Sequence, residues 1–86
     1  MIRIGYTTNF IKAFKKLETD LKNEALEKID LFKYRENHKQ IKAHKLKGRL
    51  KGRYSFSVNY KFRIVFYYKS PNNAILLSIG DHNIYK

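Results

Sequence analysis

The chain has 86 residues, with 19 Lys and Arg against 7 Asp and Glu, a net charge of +12, and no Cys. The absence of cysteine excludes disulfides and cysteine–zinc sites and fits a reducing compartment. No apolar run approaches the about 20 residues of a membrane span, and the opening MIRIGYTTNF lacks a signal-peptide core, so one cytoplasmic domain over residues 1–86, with no membrane role, is expected.

Ile2, Ile4 and Tyr6 alternate with Arg3 and Gly5, which predicts a short strand. Thr7, Thr8 and Asn9 follow as helix caps. Phe10, Ala13, Phe14 and Leu17 then recur at helical spacing, with Lys12, Lys15 and Lys16 between them. Asp20 is a second cap candidate, followed by the stripe Leu21, Ala25, Ile29 and Phe32 and an i,i+4 pair of Glu24 with Lys28. The two helices form a hairpin ending near Tyr34. Residues 35–43 are open between a helical turn and a loop.

Gly48 and Gly52 punctuate the chain before three strands. From Arg53 to Tyr60, Tyr54, Phe56, Val58 and Tyr60 fall on one face, and Ser55, Ser57 and Asn59 on the other. Asn59 to Lys61 must contain a turn, and from Phe62 to Tyr68, Phe62, Ile64, Phe66 and Tyr68 oppose Arg63, Val65 and Tyr67. A turn at Ser70-Pro71-Asn72-Asn73 leads to an apolar strand, Ala74 to Ile79, suited to a central position. The order β-α-α-β-β-β predicts an α+β fold, a helical hairpin on one face of a mainly antiparallel sheet. Its aromatic strand face needs the helices as cover. The opposite face then shows Ser55, Ser57, Arg63 and Tyr67, a surface suited to a phosphate backbone with a stacked base.

Charge is uneven along the chain. Residues 1–35 hold eight Lys/Arg and five Asp/Glu, whereas residues 36–86 hold eleven and two. Seven cations lie between Lys39 and Arg53 with no acid among them. Nucleic acid, anionic lipid and an acidic protein are the polyanions such a surface attracts; membrane binding is the weakest fit, because the basic run is broken by glycines.

Three segments resemble the RelE/ParE superfamily of toxins in order and spacing: His44-Lys45-Leu46-Lys47-Gly48 with Gly52-Arg53-Tyr54; Tyr60-Lys61-Phe62-Arg63-Ile64-Val65-Phe66; and Ile79-Gly80-Asp81-His82 with Tyr85. The tail is most similar to the RelE and YafQ branches. The resemblance implies an endoribonuclease that enters the ribosomal A site of the 70S ribosome and cleaves bound mRNA. It also implies a cognate antitoxin, which binds promoter DNA together with the toxin. Two other functions fit the basic face: a ParE-like toxin that inhibits DNA gyrase without cutting RNA, and an RNA-binding module with no catalysis.

Metal-independent RNA cleavage needs a base for the 2′-OH, an acid for the 5′-oxygen and cations for the phosphate. Neither a cofactor nor a metal site is expected. Arg63 matches the family's strand arginine and, read as mid-strand on the non-core face, can grip a phosphate bidentately; a cross-strand surface contact is its other role. His82 matches the YafQ-branch histidine and titrates in a range suited to acid–base work, or else orders the tail. His44 is a second acid–base candidate or a solvated loop residue. Tyr85 matches the terminal aromatic that stacks on an mRNA base, or folds back on the sheet. Lys45, Lys47, Arg49, Lys51 and Arg53 are read as phosphate contacts, Lys47 foremost; His38 is read as surface. Ser55 and Ser57 stand where RelE has lysines assigned to the chemistry. Proton transfer then falls to His82 and His44, or to Lys45 and Lys47 reaching in.

Overall fold

A computed structural model of the chain describes residues 1–81. Its elements are β1 (Arg3–Tyr6), α1 (Thr8–Lys15), α2 (Thr19–Phe32), β2 (His44–Lys45), β3 (Tyr54–Ser57), β4 (Arg63–Ser70) and β5 (Asn73–Gly80), with short 3-10 turns at Arg35–Asn37 and Gly48–Leu50. The strands form one sheet in the order β1-β5-β4-β3-β2, antiparallel except for the β1–β5 pair. The expected α+β plan is what forms, with one strand more. β2 is two residues long, too short to leave a periodic signal.

The helices cover one sheet face because their apolar stripes meet the aromatic strand face. Phe32 of α2 stacks on Phe56 at 4.7 Å and meets Phe66 edge-on at 4.6 Å. Ile29, Ala25, Phe10, Ile64, Leu76 and Ile79 complete the same buried cluster. Aromatic pairs at these distances add to what burial itself contributes.

The start of α1 locks onto β5. Thr7 caps the helix by accepting the Phe10 N–H at 3.0 Å, and its hydroxyl donates to the Leu77 carbonyl at 3.0 Å. Asn9 donates to the same carbonyl at 3.2 Å. Leu77 is skipped in the β4–β5 register, where Val65 faces Ser78 and Phe66 faces Leu76. A bulge leaves its extra residue out of the ladder, and here the helix cap satisfies it.

Several local expectations are corrected. α2 begins at Thr19 with Glu18 at the cap position, making no side-chain cap bond; Asp20 lies inside the first turn. Glu24 accepts a bond from Asn59 Nδ2 at 2.8 Å, while Lys28 lies 3.6 Å from Glu27. His38 is half-buried, stacked on Phe32 at 4.8 Å with Nε2 bonded to the Phe32 carbonyl at 2.7 Å. The end of α2 carries unpaired carbonyls, and the imidazole serves one of them. β3 ends at Ser57, so Tyr60 leaves the core side and stands 90% exposed in the β3–β4 turn.

Candidate nucleic-acid interface

Strand register decides which side chains share the face away from the helices. His44 faces Ser55, Ser55 faces Val65, and Val65 faces Ser78. One row further along, Ser57 faces Arg63 and Arg63 faces Gly80. Paired residues in a sheet project to the same side, so His44 and Arg63 lie on one face. They are two strands and one row apart, about 12 Å between Cα positions from standard sheet spacings. Both side chains are long enough to approach one nucleotide from opposite sides.

Arg63 opens β4 rather than sitting in its middle. Its side chain leans over the β3–β4 turn, where Nη1 donates to the Asn59 carbonyl at 2.6 Å and the Phe62 carbonyl at 3.2 Å. A guanidinium has five N–H donors. Those on Nε and Nη2 form the edge that grips an oxyanion in a bidentate pair. Arg63 lines a cleft with Lys28, Lys42, Ser57 and Tyr60; among the described residues no acid lines it, although Glu24 and Glu27 bond to its lining residues Asn59 and Lys28 from α2.

His44 is exposed, and its Nδ1 lies 2.8 Å from the Lys42 carbonyl. A carbonyl only accepts, so Nδ1 carries the hydrogen. In the neutral ring this leaves the lone pair on Nε2, the form a general base needs. The same carbonyl bond holds the ring in place.

The two serines separate. Ser57 is half-buried and lines the Arg63 cleft. Ser55 is 0% exposed, which removes it as a surface contact for RNA. Alternation assigns a residue to a face but does not say how closely that face is enclosed.

The basic run forms an exposed projection beyond β2 and β3. The Leu46 N–H donates to the Arg53 carbonyl at 2.8 Å. Gly48 and Gly52 take φ of 69° and 85° to turn the chain, a region that costs other residues strain. Lys45, Lys47, Arg49, Lys51 and Arg53 are all exposed on it. Lys45 faces Tyr54, whose ring stacks on Phe66 of the core. The pleat thus directs Lys45 to the helix side, away from His44, so it does not reach into the Arg63 face. His82 and Tyr85 lie outside the described residues.

Lys28, Lys42 and Tyr60 escaped sequence reasoning. Lys28 comes from α2 and has no local link to Arg63. Lys42 has one retrievable signal, its place in the acid-free run from Lys39 to Arg53.

The chain has a RelE-like α+β fold. Of the solved structures that share the fold, YafQ from E. coli strain BL21(DE3) superposes with a TM-score of 0.79 at 17% identity, over 99% of this chain and 98% of that one. The YoeB–YefM toxin–antitoxin complex from Staphylococcus aureus gives 0.74 at 21% identity, over 95% and 98%. The archaeal RelE–RelB complex from Pyrococcus horikoshii OT3 gives 0.72 at 18%, over 93% of each chain. No protein-family model and no curated protein matches the chain. These superpositions establish a common fold over nearly the full length.

Proposed function

We propose that this chain is the toxin of a toxin–antitoxin pair, an endoribonuclease that cleaves mRNA in the ribosomal A site by metal-independent attack of the 2′-OH. The observation that carries the proposal is Arg63, set in a cleft lined by two further cations, Lys28 and Lys42, on a fold shared with YafQ and RelE. One histidine takes the 2′-OH proton. The 2′-oxygen then attacks the phosphorus, and the P–O5′ bond breaks. The second histidine protonates the 5′-oxygen, leaving a 2′,3′-cyclic phosphate and a 5′-OH. Arg63 holds the phosphate as its charge rises. His44 and His82 divide the proton transfers, Tyr85 stacks on a base, and the exposed cations of residues 45–53 hold the RNA backbone.

The antitoxin partner draws its support from the molecule's other side. Tyr6, Ile11 and Leu26 are 47%, 42% and 49% exposed and line one apolar groove with Phe14, rimmed by Lys15. An acidic amphipathic helix suits such a groove, on a chain of charge +12. Two proteins of the same fold occur in complexes, YoeB with YefM as a toxin–antitoxin pair and RelE with RelB.

The test is induced expression in bacteria with mapping of mRNA 5′ ends. The native chain is expected to arrest growth and produce new cuts inside translated frames. Arg63→Ala and His82→Ala are expected to lose the cuts by at least about 100-fold, the scale of removing one donor to a transition-state anion. Growth arrest with intact messages would replace this function by the gyrase-directed one.

A further inference from the structure

The cleft beside Arg63 holds more than the proposed cleavage step uses. Lys28 and Lys42 line it together with Arg63, and Tyr60 stands at its rim. Tyr60 is the most exposed aromatic among the described residues, at 90%. A single exposed ring is ordinary on a protein surface. A ring carried on a rigid turn and lining one cleft with three cations is not.

The rigidity has a visible source. Asn59 Oδ1 accepts from both the Lys61 and the Phe62 N–H at 2.8 Å, closing the turn around Tyr60. Asn59 Nδ2 donates to Glu24 on α2, and the Asn59 carbonyl accepts from Arg63. The turn is thereby anchored to a helix and to the cleft. Lys42 supplies a second observation. It alone among the described non-glycine residues has positive φ, at 56°. Such strain in an L-residue gathers at functional sites. Its side chain lines the cleft while its carbonyl orients His44.

We propose that this cleft is a subsite for a single-stranded RNA nucleotide flanking the cleaved one, its base stacked on Tyr60 and its phosphate among Lys28, Lys42 and Arg63. The subsite rests on the ribonuclease function proposed above and extends it to a neighbouring nucleotide. Stacking on an aromatic face tolerates any base, so the subsite contributes affinity and register rather than base choice.

A 2′-O-methyl oligoribonucleotide has no free 2′-OH and remains intact, so binding is measured on the native chain without cleavage. Tyr60→Ala is expected to weaken binding by about tenfold, within the range for losing one stacking platform, and Tyr60→Phe to stay within about twofold. Lys42→Ala is expected to reduce the slope of log affinity against log salt by about one. The chain has no tryptophan, so Tyr60→Trp is a unique reporter. Its emission is expected to fall on binding, and to fall less with a strand abasic at the flanking position. Because Tyr60 is exposed, all three variants at this site should keep the native circular dichroism spectrum.

Native affinity in Tyr60→Ala, or unchanged emission in Tyr60→Trp, would overturn the subsite. So would polyglutamate that displaces the RNA and changes the Tyr60→Trp emission as the RNA does, which would give the cleft to an acidic protein. Any of these with Arg63-dependent mRNA cuts intact would leave the nuclease standing. Absence of RNA binding by the native chain would also overturn the subsite, whereas the nuclease falls only if the induced chain leaves messages uncut.

Discussion

Ser55 lies between His44 and Val65 in one row of the sheet and is wholly enclosed. A lysine there, as in RelE, would need either an opened face or a buried ammonium. Burying an unpaired charge costs several kcal/mol. Ser55→Lys is therefore expected to lower the Tm by more than about 10 °C, since 1 kcal/mol is worth roughly 4–8 °C in a domain of this size. Ser57→Lys, two residues along and half-buried at the cleft, is expected to shift it by less than about 4 °C. Thermal denaturation of both variants checks the contrast, and equal Tm values would show that the two serines share one environment. Within the described residues, the proposed chemistry therefore draws on Arg63 and His44 rather than on strand lysines. His44 gains its base-ready tautomer from a backbone carbonyl two residues away, a contact that needs no conserved partner side chain.

At the level of elements, the junction of β1, α1 and β5 depends on one hydroxyl. Thr7 accepts from the Phe10 N–H and donates to Leu77 at the bulge. Thr7→Val keeps the shape and loses both bonds, so a loss of about 1–2 kcal/mol is expected, read as a Tm lowered by roughly 4–16 °C. Thr7→Ser should recover most of it; a Thr7→Val protein as stable as the native one would show that Asn9 alone holds the bulge. Thr7 was readable as a cap because its type and its place before Phe10 are local signals. The helix stripes and the alternation of β3 to β5 were readable for the same reason. What stayed hidden depends on distant contacts. The turn at Asn59 to Lys61 was readable between the two strands, but not that Asn59 closes it early enough to eject the Tyr60 ring from the core face. Glu24 has a well-spaced partner in Lys28, yet bonds to Asn59 across 35 residues. His38 looks like a surface residue until the end of α2 is placed beneath it. Of the candidate site, residue type and spacing single out Arg63 and His44, and the strand register puts them on one face, whereas the convergence of Lys28 and Lys42 on Arg63 arises only from the packing of α2 against the sheet end.

For the molecule as a whole, 7 acidic residues cannot neutralise 19 basic ones however they pair. The pairs Lys28–Glu27 and Lys33–Asp30 lie at the surface, where such contacts contribute little. Self-repulsion therefore works against the compact state, in a chain small enough to have a thin stability margin. Sodium chloride is the informative salt, because sulfate and phosphate also strengthen apolar burial. Raising it to about 0.5 M shortens the screening length to a few ångström and is expected to raise the Tm by several degrees. A polyanion that binds the folded form should raise it further at low salt, through mass action, and this extra gain should vanish as sodium chloride displaces the ligand. RNA and an acidic antitoxin would both act in this way, so the Tm of the isolated chain understates the stability of the bound one. A Tm that falls with sodium chloride would mean that the surface ion pairs outweigh the repulsion, and that the excess charge is no burden the partner has to relieve.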